Sequence, residues 1–121
     1  FIYLFHILTY IKKRVMAVKT NKSTAGSSYH GVLIITTPNK LREILGSPTL
    51  IDNTGKYKTN MEYICETRDG ILFTIYDYYQ NGPLNMEYNY GFHIGGFSKA
   101  DTEKAKAELE LMIDVITPDF Y

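Results

Sequence analysis

Residues 60–78 read NMEYICETRDGILFTIYDY, and this stretch decides the fold. Two runs rich in strand-forming residues flank Asp69-Gly70, a dipeptide that is among the strongest short-range signals for a β-hairpin. The dipeptide predicts a type I′ turn, because both central positions of that turn need a positive φ. Both faces of the second run carry large apolar residues, so we expect it to be a central strand.

The segment before the hairpin predicts a strand and then a short helix. Residues 30–36, HGVLIIT, form a continuous apolar run that is typical of a central strand buried on both faces. Thr37 is suited to cap a helix that begins at Pro38 and ends at Gly46. That helix has barely two turns, so packing on the sheet must hold it.

The segment after the hairpin predicts a loop over residues 79–91, a short strand over residues 92–94 and a long helix. Ser98 followed three residues later by Asp101 approximates a capping box at the start of this helix. Thr117-Pro118 is expected to end it. Its apolar face shows the spacing of a helix, with Ala105, Leu109, Met112 and Ile116.

The elements follow the order β-α-β-β-β-α. This order predicts an α+β fold, a two-layer sandwich with a mainly antiparallel sheet and both helices on one face. A chain of 121 residues suggests one domain, which we assign to residues 29–121. Residues 1–28 are interpreted as a leader outside the core. Within it, residues 1–15 are interpreted as upstream read-through before Met16 or, alternatively, as a membrane-surface segment.

Composition narrows the classes of function. The formal net charge is zero, so it does not indicate a general affinity for nucleic acid or anionic membranes. Cys65 is the only cysteine, and its place in a strand predicts a small buried apolar residue. The three histidines are far apart and no metal-ligand spacing occurs, so we expect no metal, no cofactor and no catalytic constellation.

Residues 93–98, HIGGFS, form the one candidate ligand site. Two glycines before a helix start can turn backbone N–H groups towards an anion, with His93 as a further donor. Alternatively, the glycines only make a tight strand-to-helix turn and His93 is structural. Tyrosines at the far end of the hairpin are expected to stack on the base of a nucleotide or other phosphate-bearing ligand. The predicted ligand residues are His93, Gly95, Gly96, Ser98, Tyr76, Asp77 and Tyr78.

Tyr88 and Tyr90 give the second candidate site. They make the loop of residues 79–91 rich in tyrosine, a common recognition residue. We therefore expect this loop to contact a protein partner.

Three pieces of the chain, LREILGSP, MEYICETRDGILFTIYDY and FHIGGFS, resemble a group of small tailed-phage and environmental viral proteins whose activity is not established. That group shares a DG hairpin, an IYDY-like strand end and an HIGG segment, and it often has Trp where this chain has Tyr63 and Phe92. The resemblance covers residues 40–98. It implies a viral origin. From that origin we expect an accessory protein in the cytoplasm of an infected host, which binds a host or viral protein or, alternatively, sequesters a nucleotide.

Overall fold

The computed structural model describes residues 16–116, with side chains described as far as Asp114. The interpretations of residues 1–15, the side chain of Ile116 and the helix end at Thr117-Pro118 lie outside this part. The described chain forms six strands and two helices. The strands are β1 (Val18–Lys19), β2 (Ser28–Thr36), β3 (Leu50–Ile51), β4 (Met61–Glu66), β5 (Leu72–Tyr76) and β6 (Tyr90–Gly96), and the helices are α1 (Pro38–Leu45) and α2 (Lys99–Ile116).

All six strands belong to one antiparallel sheet. Its strand order is β1-β4-β5-β6-β2, and β3 pairs with the same edge of β4 as β1 does. The α+β class, the β-α-β-β-β-α core order and the central position of β5 are therefore confirmed.

Both helices pack on one face of the sheet. Leu41 of α1 and Leu109 of α2 are fully buried in the same core as Tyr63, Phe73 and Phe92 of the central strands. We call this side of the sheet the covered face and the other side the open face. Neither helix of residues 16–116 is both long enough and apolar enough to cross a membrane.

Three of the predicted helix ends, at Thr37, Gly46 and Ser98, are confirmed. The Thr37 hydroxyl accepts a hydrogen bond from the Lys40 amide at 3.0 Å, and the Gly46 amide donates to the Arg42 carbonyl at 2.9 Å. The Ser98 hydroxyl accepts from the Asp101 amide at 3.1 Å, which caps α2. These bonds satisfy groups that a helix terminus would otherwise leave without a partner.

The hairpin is confirmed, but its turn is not type I′. Only Gly70 has a positive φ, of 85°, and Asp69 does not. The Gly70 amide donates to the Thr67 carbonyl at 2.9 Å, and the Thr67 amide donates to the Ile71 carbonyl at 2.9 Å. This is a longer loop in which glycine alone takes the left-handed position, the arrangement of a turn followed by a G1 bulge.

The prediction that residues 30–36 form a central strand was wrong. β2 pairs with β6 alone among the described strands, so it lies at an edge of the sheet. Val32 and Ile34 are buried on the covered face, whereas Leu33 and Ile35 are exposed on the open face. A continuous apolar run indicates two buried faces, but here no described segment covers the second one.

Part of the predicted leader belongs to the fold. Ala17 is 1% exposed in the core, and Val18–Lys19 pairs with Cys65 and Glu66 at the edge of β4. The Ala17 amide contacts the Met112 sulfur at 3.1 Å, which ties this strand to α2. Pairing with a strand more than forty residues away is not indicated by the local sequence of residues 17–19.

Candidate functional site

A row of four side chains crosses the open face near its middle. The strand registers align Glu62 of β4 with Tyr76 of β5, Tyr76 with His93 of β6, and His93 with Leu33 of β2. Side chains on neighbouring antiparallel strands stand close enough to contact one another. The sheet itself therefore brings together a carboxylate, a phenol, an imidazole and an aliphatic group.

Three tyrosines surround His93 on this face. The Tyr29 ring stacks on the His93 ring with centroids 3.9 Å apart and planes 15° apart. Tyr78 stacks on the same imidazole at 5.3 Å, and Tyr76 meets it edge-on at 5.3 Å. We call Tyr29, Tyr76, Tyr78 and His93 the aromatic cluster. Such offset and edge-on contacts stabilise ring pairs beyond the area they bury.

Gly95 makes room for the aromatic cluster. It pairs with Tyr29 on one side and with Thr74 on the other. A Cβ at Gly95 would lie 2.5 Å from the Thr74 hydroxyl oxygen and 3.5 Å from the Tyr76 ring. A side chain there would push apart the strands or the rings, so the glycine has a packing role on this face.

Burial sets the charge states around the aromatic cluster. Desolvation lowers the pKa of His93 from its ordinary value, so the imidazole is neutral at pH 7. Desolvation, and then the nearby Glu62 carboxylate, raise the pKa of Tyr76. Desolvation also raises the pKa of Glu62. The aromatic cluster therefore offers neutral rings and hydrogen-bonding groups rather than a cation for an anionic ligand.

The predicted anion site is not assembled at the glycine pair. Gly95 and Gly96 lie within β6, and the connection to α2 is made by Phe97 and Ser98. Gly96 faces the core, where an added Cβ would lie 2.8 Å from the Thr102 methyl carbon. The Ser98 hydroxyl is occupied as the helix cap. Of the predicted ligand residues in this segment, His93 and Gly95 lie on the open face, and Gly96 and Ser98 do not contribute to it.

Asp77 is separated from the two tyrosines beside it. It is fully buried, and one of its oxygens accepts from the amides of Asn60 at 2.7 Å and Met61 at 3.0 Å. The other oxygen accepts from the Asn60 side-chain amide at 3.0 Å. These bonds join the start of β4 to the end of β5, so Asp77 stabilises the hairpin.

The two tyrosines predicted to contact a partner lie in different environments. Tyr88 is 63% exposed in the loop before β6. The Tyr90 hydroxyl accepts from the Asn85 amide at 2.8 Å, and its ring packs edge-on against Phe92. Tyr88 therefore presents its ring to solvent, whereas Tyr90 braces the loop against the core.

Cys65 is buried as predicted. It is fully inaccessible, and desolvation raises the pKa of its thiol to about 12. A protonated, buried thiol is a poor nucleophile. Among residues 16–116 no group of three or more histidine, cysteine, aspartate or glutamate side chains is placed to hold a metal ion.

Tyr29 is the site residue that sequence reasoning missed. The strand was predicted to begin at His30, and its alternation is broken between Tyr29 and Leu33 by a register shift at Gly31, whose φ is 86°. An aromatic two residues before a glycine is the only local signal, and it does not say which ring Tyr29 will meet.

No family model, curated protein or solved structure matches the chain.

Proposed function

We propose that this protein acts without catalysis, by binding a protein partner through the open face of its sheet. The aromatic cluster is the observation that supports this proposal. Tyr29 is 40% exposed and Tyr78 is 42% exposed, although both rings are held in place by His93. Partly exposed, preorganised aromatic rings are typical anchors of protein interfaces, because they bury a large area at little cost in entropy.

The surroundings of the aromatic cluster define the chemistry of the partner. Leu33, Ile35 and Leu50 leave large apolar surfaces exposed at the two sides of the sheet. Between them lie tyrosine hydroxyls and a neutral imidazole. We infer a partner surface with an apolar centre and with hydrogen-bonding groups that meet the tyrosine hydroxyls, as in the core of a non-obligate interface.

The biological setting rests on the resemblance to small phage proteins. Accessory proteins of this size commonly act by occupying a surface of another protein. We propose a viral accessory role in the cytoplasm of an infected host, with a host or viral protein as the partner.

Affinity capture with matched tyrosine variants tests the site. Tagged wild-type protein, the Tyr29→Ala/Tyr78→Ala double variant and a Tyr57→Ala control are incubated with lysate of infected cells. Tyr57 is 64% exposed in a connecting segment and does not belong to the aromatic cluster. We expect one partner to be recovered in stoichiometric amount by wild type and Tyr57→Ala, with at least tenfold loss in the double variant.

Two outcomes would contradict this assignment. Loss of the partner in a Tyr88→Ala variant alone would place the contact in the loop before β6. Failure of the wild type to retain any stoichiometric partner would remove the proposal. Chemical denaturation of each variant shows whether reduced capture reflects the surface or a damaged fold.

A second candidate is a planar small molecule, including the base of a nucleotide, stacked on the aromatic cluster. The stacked pair of Tyr29 and His93 supports it, because aromatic side chains accept any flat π-system. A thermal-shift screen should compare each nucleotide with its nucleoside. At a free ligand concentration of 100 times Kd, binding adds about 2.7 kcal/mol to the free energy of unfolding. Since the aromatic cluster lacks a cation, we expect a nucleotide and its nucleoside to shift the unfolding temperature equally. If no compound shifts the unfolding temperature, this candidate is rejected.

A further inference from the structure

We propose that two copies of this chain associate through β2, with the two β2 strands antiparallel across a two-fold axis, to form one continuous sheet. Within residues 16–116, β2 pairs with β6 on one side only. None of the described backbone hydrogen bonds outside the sheet ladder involves Ser28–Thr36. An edge strand of nine residues presents a row of unpaired N–H and C=O groups to any strand of matching length.

The apolar content of β2 is that of an interior strand. Leu33 and Ile35 are exposed on the open face, Ile35 to 74%, while Val32 and Ile34 fill the covered face. Native edge strands usually carry charges or proline that discourage pairing, but the run from Val32 to Ile35 has neither. Pairing with a second β2 would turn this edge strand into a central one.

The charges on α2 indicate that the partner at the edge of β2 is a second copy of this chain. A shallow groove runs between β2 and α2, and its helical wall presents Lys99, Glu103, Lys106 and Glu110. Their spacing of four, three and four residues places them on one face of the helix, in the order plus, minus, plus, minus.

When two copies of this row of charges are placed antiparallel, each charge lies opposite a charge of the other sign. A two-fold axis perpendicular to the sheet keeps both α2 helices on the same side and makes them antiparallel across the seam. Lys99 then faces Glu110 of the second copy, and Glu103 faces Lys106, so that all four positions meet an opposite charge. A parallel arrangement would instead oppose like charges. An isologous contact of this kind is closed, because each copy supplies the same surface.

Sedimentation velocity of the full chain over a concentration series tests the pairing. We expect a monomer–dimer equilibrium that is disrupted by Ile35→Lys. Leu50→Lys is the matched control, because Leu50 is also exposed but belongs to β3 at the opposite side of the sheet. We expect the control to dimerise as the wild type does.

A charge-exchange series identifies the register. Glu103→Lys alone would place two lysines opposite each other at two symmetric points, and Lys106→Glu alone would place two glutamates there. We expect each single variant to weaken dimerisation about tenfold or more. The double variant restores opposite charges, so we expect its dimerisation to return close to the wild-type level.

Hydrogen exchange completes the test. Amides of β2 should become more protected as the concentration rises, while amides of β3 should not change. Four results would overturn the proposal: a monomer at every concentration, a dimer indifferent to Ile35→Lys, single charge variants that the double variant does not rescue, or β2 protection independent of concentration. The last result would show that another segment of the same chain already covers the edge.

Discussion

The two faces of the sheet are formed by the same strands, yet they differ in burial and in the role of their side chains. On the covered face, Tyr63, Phe73 and Phe92 are fully buried, and the Tyr63 hydroxyl donates to the Gly46 carbonyl at 2.8 Å. On the open face, Tyr29, Tyr76, Tyr78 and His93 form the aromatic cluster and remain partly exposed. The covered face holds the fold together, and the open face keeps ordered rings available for contact. The difference predicts where substitutions damage stability and where they damage binding.

The largest expected effect separates two neighbouring residues of β6. Phe92→Ala removes a fully buried ring from the covered face, and we expect a loss of about 3–5 kcal/mol. His93→Ala, on the open face, should cost about 1 kcal/mol, since it removes only partly exposed ring contacts. Urea denaturation of both variants gives the comparison. Equal losses would show that the open face is as essential to the fold as the core.

The next effect concerns the hydrogen bonds of Asp77 at the end of the covered face. Asp77→Ala leaves the buried amides of Asn60 and Met61 without their acceptor, and each orphaned donor costs about 1–3 kcal/mol. We therefore expect a loss of about 3 kcal/mol in the free energy of unfolding. Asp52→Ala, at an exposed aspartate, is the control and should be within about 0.5 kcal/mol of wild type. An unchanged midpoint for Asp77→Ala would show that water replaces the carboxylate.

Two glycines of β6 test how tightly the open face is packed. Gly95→Ala places a methyl group against Thr74, and we expect a loss of about 1–3 kcal/mol from the strain. At Gly91 the nearest atom to an added Cβ is a Leu33 methyl carbon at 3.7 Å, an ordinary contact. Gly91→Ala should be neutral or stabilising by about 0.4–1 kcal/mol, because it restricts the unfolded chain. Thermal unfolding midpoints in the opposite order would contradict the packing around the aromatic cluster.

The smallest effect is a dependence of stability on pH. The lowered pKa of His93 means that the unfolded chain gains the proton first as pH falls below about 6.5. The contribution of His93 to the free energy of unfolding is therefore fully present above that pH. It decreases as the pH falls towards the lower pKa of His93 in the folded protein. A His93→Gln variant should lack this decrease, so the difference between it and wild type should narrow or reverse between pH 7 and 5. A constant difference across that range would show that the imidazole is not desolvated.

Local patterns predicted most of the elements correctly, for reasons that act within a few residues. Thr37-Pro38 and Ser98 fix helix starts through hydrogen bonds made inside one turn. Asp69-Gly70 fixes the hairpin, although Gly70 alone takes the left-handed conformation. The candidate site was predicted less well, because the HIGG segment has the same local pattern whether its glycines form a turn or a strand. Their place in β6 is decided by pairing with Ser28 and Tyr29, far away in the chain.

The sequence by itself determined the α+β class, the placement of both helices on one face of the sheet and the burial of Cys65, since element order and strand and helix patterns are local properties of the chain. Tertiary structure alone decided that β2 lies at an edge, that Ala17 enters the core, and that Tyr29, Tyr76 and Tyr78 meet around His93. Strand order and register join residues separated by many positions, and no local preference records those pairings. A ring stack across β2 and β6 exists only once the strands have paired.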